Sequence, residues 1–323
     1  METAVSTAPV TTVVPAGPQR RRVGASDLRV FPLAVSGNVF GWTADADATH
    51  EILDRYTALG GNFIDTADSY AGGRSEIMIG NWMRDRGTRE DVVVATKIGK
   101  SADNPGLTHT AIVRSVEASL RRLQTGWIDL LYLHIDDDSV PFEETLLAVD
   151  SLIASGKVRT FGGSDHTGNR LFEARIASAQ LGVAHMVAVQ NQYHLLHRAE
   201  YENGLAQVAY AQQLGVMPRF ALASGFLSGK YRTRADIMRG GRGNEAARYL
   251  NRKGLRVLAT LDGIAKAHDT SVASVALAWL LSKRNVVAPV VSASHPDQVD
   301  ELVSAAALGL TRHQLADLDR VSA

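Results

Sequence analysis

Residues 62–65, NFID, and residues 92–97, VVVATK, are short apolar runs, each closed by one charged side chain, Asp65 in the first and Lys97 in the second. Similar runs recur along the chain, separated by amphipathic stretches. They span Phe31 to Ser36, Asn62 to Asp65, Val92 to Lys97, Ile128 to His134, Val158 to Gly162, Met186 to Gln190, Val216 to Phe220 and Val286 to Val290. The segments between them have helical spacing, as at Ala48, Ile52, Tyr56 and Leu59, at Ile112, Val116 and Leu120, and at Phe142, Leu146, Val149 and Ile153. Gly60 and Gly156 stand just past two of these stretches, where a left-handed C-cap needs glycine. Alternating strand and helix imply parallel pairing through right-handed crossovers, and eight such units fit an α/β fold of the closed (β/α)8 TIM-barrel type. A doubly wound sheet is the rival, weakened because no G-x-G-x-x-G follows the first run.

The 323 residues are expected to form a flexible tail over 1–21 and one barrel domain over 22–323. The tail lacks a basic start and is broken by Pro9, Pro15 and Pro18, so it does not read as a signal peptide. Lys plus Arg (34) equals Asp plus Glu (34), which leaves no net field to hold nucleic acid or an anionic membrane. No apolar run approaches the roughly 20 residues that span a bilayer. The absence of cysteine excludes disulfides and thiolate chemistry and fits a reducing compartment, so a cytoplasmic location is expected. A homo-oligomer stays open. Arg232 to Arg248, with Gly240, Gly241 and Gly243 among arginines, reads as the longest irregular segment, lying over the top of the barrel after strand seven. SVASVALAWLL, after Thr270, is apolar nearly all round and should be a buried helix.

Polar residues close successive runs: Asp65, Lys97, His134, then Ser164 and Gln190. In a barrel that end carries the active site. Burial lowers a lysine's pKa unless a carboxylate holds its charge, and Asp65 is the obvious partner for Lys97. Two readings stand at this point: a buried ion pair that fixes register, or part of a reactive group. Tyr70 shifts the balance, because the loop TADSY can fold back and set its phenol beside the ammonium. A free tyrosine, with a pKa of about 10, is too weak an acid at neutral pH, and a fixed cation is expected to bring that value down. His134 would orient a carbonyl oxygen at the same point, or else bond to backbone as a lone strand-end histidine does.

The run GGNFIDTADSYAGGRSEIMIGNWM, with VVVATKIG and WIDLLYLHIDDD, resembles the aldo-keto reductase superfamily, whose Asp, Tyr, Lys and His tetrad it matches at Asp65, Tyr70, Lys97 and His134. The resemblance continues through PFEETLLAVDSLIASGKVRTFGGS, AVQNQYHLL, LASGFLSGKY and PVVSASHPDQVDEL, and two of these segments look most like bacterial branches of the family. It implies NADPH (NADP+) as cofactor, hydride transfer to an aldehyde or ketone, and proton delivery by Tyr70. It also implies that the nicotinamide carboxamide meets Ser164, Asp165 and Gln190, and that the pyrophosphate meets Leu222, Ser224, Gly225, Leu227, Gly229 and Lys230. The adenosine 2'-phosphate would meet Ser292, Ala293, Ser294 and Gln298, where Pro296 suits the first turn of a helix with free N–H groups.

Two departures stand out. Asp165 and Arg219 occupy positions where the family usually has Asn and an aromatic ring. Either the two form a compensating ion pair flanking the nicotinamide, or Arg219 turns to outer carboxylates; separation beyond about 4 Å removes the first. Trp42 and Tyr193 are the candidate substrate walls. Rival functions are weaker. His194, His197 and Asp136 to Asp138 make a poor metal site, and no G-x-S-x-G occurs for a serine hydrolase. A barrel of this family that binds NADPH as a regulatory or scaffold subunit is the remaining alternative, against which an intact Tyr70 and Lys97 argue.

Overall fold

The computed structural model describes residues 19–239 and 243–323. Eight parallel strands form one curled sheet: β1 Ala34–Ser36, β2 Phe63–Asp65, β3 Val93–Ile98, β4 Ile128–Leu133, β5 Val158–Ser164, β6 Ala188–Gln190, β7 Gly215–Val216 and β8 Val290–Val291. Each strand from β1 to β6 pairs with the next in sequence, and β8 pairs with β1. The segment before β8 also reaches β7: Val287 N donates to Val216 O at 2.8 Å and Val216 N to Asn285 O at 2.9 Å.

All eight anticipated runs hold strand, with revised limits. The seventh stops early because Pro218 has no N–H for a ladder. Arg219 and Phe220 therefore belong to the loop beyond it. The first shortens to Ala34–Ser36 and the last moves to Val290–Val291, next to Pro32 and Pro289. A ribbon pairing Arg21–Arg22 with Arg29–Val30 was not anticipated. It takes Arg21 out of the expected tail, whose residues up to 18 lie outside the described residues.

The helices meet the sequence reading more closely. Ala46–Ala58 (α1) and Phe142–Ala154 (α4) flank Arg74–Arg86 (α2) and His109–Leu123 (α3), and Gly168–Leu181 (α5) follows. Gly60 and Gly156 adopt φ of 88° and 74° just past α1 and α4, the left-handed closure expected of them. The helix Val272–Leu281 begins on Ser271, whose side chain caps Ser274 N, and every residue from Ala273 onward is buried. The described parts of segment 232–248 hold helix where an irregular stretch was expected. They contain the helical turns Arg234–Arg239 and Gly243–Ala246, the first started by Thr233 and Asp236 capping each other; Gly240 and Gly241 lie outside the described residues.

Two cores result from the alternation of side chains along each strand. Phe63, Ala95, Leu130, Tyr132, Ala188 and Met217 pack inside the curl with Val23 and Val30 of the ribbon. Ile64, Val94, Leu131 and Val189 face outward and pack with the helices. Among the described residues, no helix is long and apolar enough to cross a membrane.

Candidate active site

Strand parity brings the polar side chains together. Phe63, Ala95, Tyr132 and Ala188 belong to the inner core, so Asp65, Lys97, His134 and Gln190, each two residues on, are carried to the same side. Register does the rest: Asp65 lies beside Ala95, Lys97 beside Tyr132 and Ser164 beside Gln190. All five polar residues are buried.

Lys97 is the hub. Its Nζ donates to Asp65 Oδ2 at 2.6 Å, to Thr66 O at 2.7 Å and to Tyr70 Oη at 3.4 Å. An ammonium has three hydrogens, and these contacts use them all. Because Tyr70 Oη accepts from Lys97, its own proton is left to point into the cavity. The loop that places Tyr70 is tied down by Thr66 N donating to Ala95 O and Asp68 N to Lys97 O, at 2.8 and 2.9 Å. It then turns through Ala71, Gly72 and Gly73, all at positive φ. The His134 ring stands edge-on to Tyr70 with centroids 6.1 Å apart.

Burial opposes the charge on Lys97, yet Asp65 and Tyr70 more than offset it, and the Lys97 pKa is raised. The tyrosine corrects an expectation. Burial of the phenol raises its pKa more than Lys97 lowers it, since the lysine's nearest partner is the Asp65 carboxylate. Tyr70 therefore stays protonated until a charge develops in front of it. His134 is pushed down to about 2 by burial and then by Lys97, Lys100 and Arg219, so it is neutral, with Nδ1 buried and unpartnered.

Tyr70 and His134 open into a cavity of about 970 Å³. Of the residues singled out in the sequence, Asp165, Gln190, Arg219, Leu222, Ser224, Gly225, Lys230, Ser292, Ser294, Gln298 and Trp42 line it. Arg219 donates to Asp165 Oδ1 from Nε at 2.9 Å and lies 2.7 Å from it through Nη2, so the anticipated ion pair is present. Asp165 holds a φ of 60°, a conformation an Asp tolerates better than most residues.

The other expected residues lie off the cavity lining. Leu227 and Ala293 are wholly buried and do not line the cavity, because the turns carrying them direct those side chains into the outer core. Gly229 also lies off the lining and closes a turn at φ 80°. Ser164 is buried behind the wall with Oγ unpartnered. Tyr193 does not line the cavity: its hydroxyl donates to Glu202 Oε1 at 2.8 Å and its ring packs on Tyr201 and Trp279. Gln190 Nε2 donates to Asp65 Oδ1 at 2.8 Å, so its amide nitrogen buttresses the tetrad.

Of the residues weighed for a metal, His194 Nδ1 accepts from Leu196 N, and Asp136 pairs with Arg170. Among the described residues no group of three or more His, Cys, Asp or Glu side chains could hold a metal ion. Sequence reasoning missed Asn38 and Lys100, which line the cavity from the loops after β1 and β3. Both sit two residues past a strand's end, the only signal either carried.

The profile of the aldo/keto reductase family matches residues 35–323. The chain belongs to that family and is an oxidoreductase. It is 33% identical over 298 residues to a probable voltage-gated potassium channel subunit beta of Oryza sativa, covering 89% of this chain and 90% of that protein. It is 31% identical over 313 residues to norsolorinic acid reductase B of Aspergillus parasiticus, covering 90% and 80%. An aryl-alcohol dehydrogenase of Pestalotiopsis microspora is 29% identical over 320 residues, covering 94% and 82%. These relatives are plant and fungal, so the expected placement among bacterial branches finds no support in them.

Proposed function

We propose that this protein is an NADPH-dependent reductase of aldehydes or ketones, with Tyr70 as proton donor and residues 22–323 as one closed (β/α)8 domain in the cytoplasm. One observation carries the reading: the Tyr70 phenol accepts a hydrogen from an ammonium whose charge Asp65 holds, at the mouth of a large cavity. The bonds between β7 and the segment before β8 support closure of the barrel. The absence of cysteine is consistent with the compartment.

The cavity suits a dinucleotide. Asn38 Oδ1 and Ser224 Oγ along it, and Ser164 Oγ behind it, are buried without a protein partner, and buried polar atoms ordinarily have one. Gly225, at φ 88°, has a backbone where an added Cβ would come 2.9 Å from Lys230 Cε. The nicotinamide end would meet Ser164, Asp165 and Arg219; the phosphates would meet Ser224, Gly225 and Lys230; the adenosine end would meet Ser292, Ser294 and Gln298. When bound, the cofactor supplies the hydride that reduces the carbonyl carbon. His134, as a neutral ring, orients the carbonyl oxygen by an N–H bond. Tyr70 passes its proton to that oxygen as charge gathers there, and the phenolate left behind is stabilised by Lys97. Asp65 keeps Lys97 charged and in place throughout.

A second reading is an NADPH-binding regulatory or scaffold barrel with little catalysis, favoured in part by the plant relatives being named probable channel subunits. Loss of NADPH absorbance with a panel of simple aldehydes separates the two. Turnover above the uncatalysed rate is expected; tight NADPH binding with no turnover of any carbonyl would favour the subunit.

A further inference from the structure

Lys100 lies in the loop after β3, three residues past Lys97, and lines the same cavity as Tyr70 and His134. The mechanism above gives it no task. Its Nζ stands 3.7 Å from Asp165 Oδ2, close enough for ionic attraction and too far for a hydrogen bond. Among the described residues it makes this one ion pair, and its side chain is 40% exposed. Asp165 is already engaged, because its Oδ1 accepts from Arg219 Nε at 2.9 Å and lies 2.7 Å from Nη2. Lys97, beneath, is balanced by Asp65. At the reacting end of the cavity two cations, Lys100 and Arg219, thus share a single carboxylate. One positive charge is in surplus, carried by the side chain whose N–H donors are uncommitted. The field reaches the reaction centre, since Lys100 and Arg219 are both among the charges that hold His134 neutral. Trp42, 61% exposed, adds a broad aromatic wall to the same cavity.

We propose that Lys100 is a specificity-determining residue that anchors an anionic oxygen group, a carboxylate above all, on the carbonyl substrate. The inference rests on the reductase reading. Carbonyl compounds that carry a negative charge and a flat ring are then preferred over their neutral counterparts, with the ring against Trp42 and the anion on Lys100. No bond is made or broken in this step; the ammonium exchanges water for the ligand's oxygens.

The test compares 4-formylbenzoate with its methyl ester in wild type, Lys100→Met and Lys100→Arg. The quantity read is the acid-to-ester ratio of kcat/KM, compared between proteins so that differences in intrinsic reactivity cancel. Lys100→Met should lower that ratio about fivefold, the size expected of one partly exposed ion pair. Lys100→Arg should keep most of it, and added salt should erode it in wild type. The same ratio in wild type and Lys100→Met overturns the inference while leaving the reductase reading intact. Calorimetric titration of 4-hydroxymethylbenzoate and its methyl ester supplies an arm that needs no turnover. A Lys100-dependent preference for the acid there, with neither aldehyde reduced, would sustain the anchor and sink the reductase reading. Equal acid-to-ester affinity ratios in wild type and Lys100→Met would overturn the anchor.

Discussion

Gln190 Nε2 donates to Asp65 Oδ1 at 2.8 Å and so ties β6 to β2 across the interior of the sheet. With Oδ2 taken by Lys97, the carboxylate has both oxygens occupied and cannot rotate away. Both residues are at most 1% exposed, so water cannot replace a lost partner. Gln190→Leu, close in shape, should cost about 1.5–3 kcal/mol, the range for a hydrogen bond to a charged group. The urea midpoint reads that loss, and turnover should fall with it as Lys97 loses its fixed counter-ion. An unchanged midpoint would mean that Asp65 is held by Lys97 alone.

The Lys97–Asp65 pair should behave as a unit. Each side chain is 1% exposed, and removing one partner strands the other's charge in a dry interior. Lys97→Met should therefore destabilise by about 3–5 kcal/mol, whereas Lys97→Met combined with Asp65→Leu should recover much of that loss while remaining inactive. A double-mutant cycle on unfolding free energies measures the coupling. Additive losses would contradict pairing as the source of stability.

Tyr70→Phe separates chemistry from binding. The hydroxyl's bond from Lys97 is long, at 3.4 Å, so its removal should hardly move the melting temperature. Turnover should drop by about 10² or more, with NADPH affinity nearly unchanged in a fluorescence titration. Full turnover in this variant would rule Tyr70 out as the acid.

Periodicity made the strand and helix order legible, because a two-residue and a 3.6-residue repeat show in the sequence itself. It also picked out Asp65, Lys97 and His134, which lie two past inner-core positions, whereas Tyr70 came from the fold-back of its loop and from the family resemblance. Loop residues carried no such signal. Tyr193 follows β6 as a substrate wall might, but the chain doubles back, with His194 N and His197 O bonded at 3.3 Å, and lays the ring against Trp279. Lys100 and Asn38 went unnoticed for the same reason. The direction of the Tyr70 shift was misjudged because spacing reveals that a cation is near, and not how much water the phenol has lost.

Acid stability offers a last check, set by buried groups of opposite sign. His134 is depressed to about 2 and His194 to about 3, both chiefly by burial. The unfolded chain binds these protons near pH 6.5 and the folded one does not, so each histidine's contribution is complete above about 6.5 and is lost as pH falls. Asp68 acts the other way. Burial and then the nearby Glu76 raise it to about 7, so the folded state takes up this proton first, and its contribution is present below about 4 and lost as pH rises through 7. Between pH 6 and 4.5, roughly, two histidines oppose one carboxylate, and a net loss of about 1.4 kcal/mol per pH unit follows from these three groups. Asp68→Asn removes the opposing proton and should steepen the decline, whereas His194→Gln should flatten it. Urea midpoints across that window measure both slopes, and equal slopes in wild type and Asp68→Asn would show that Asp68 does not hold its proton in the fold.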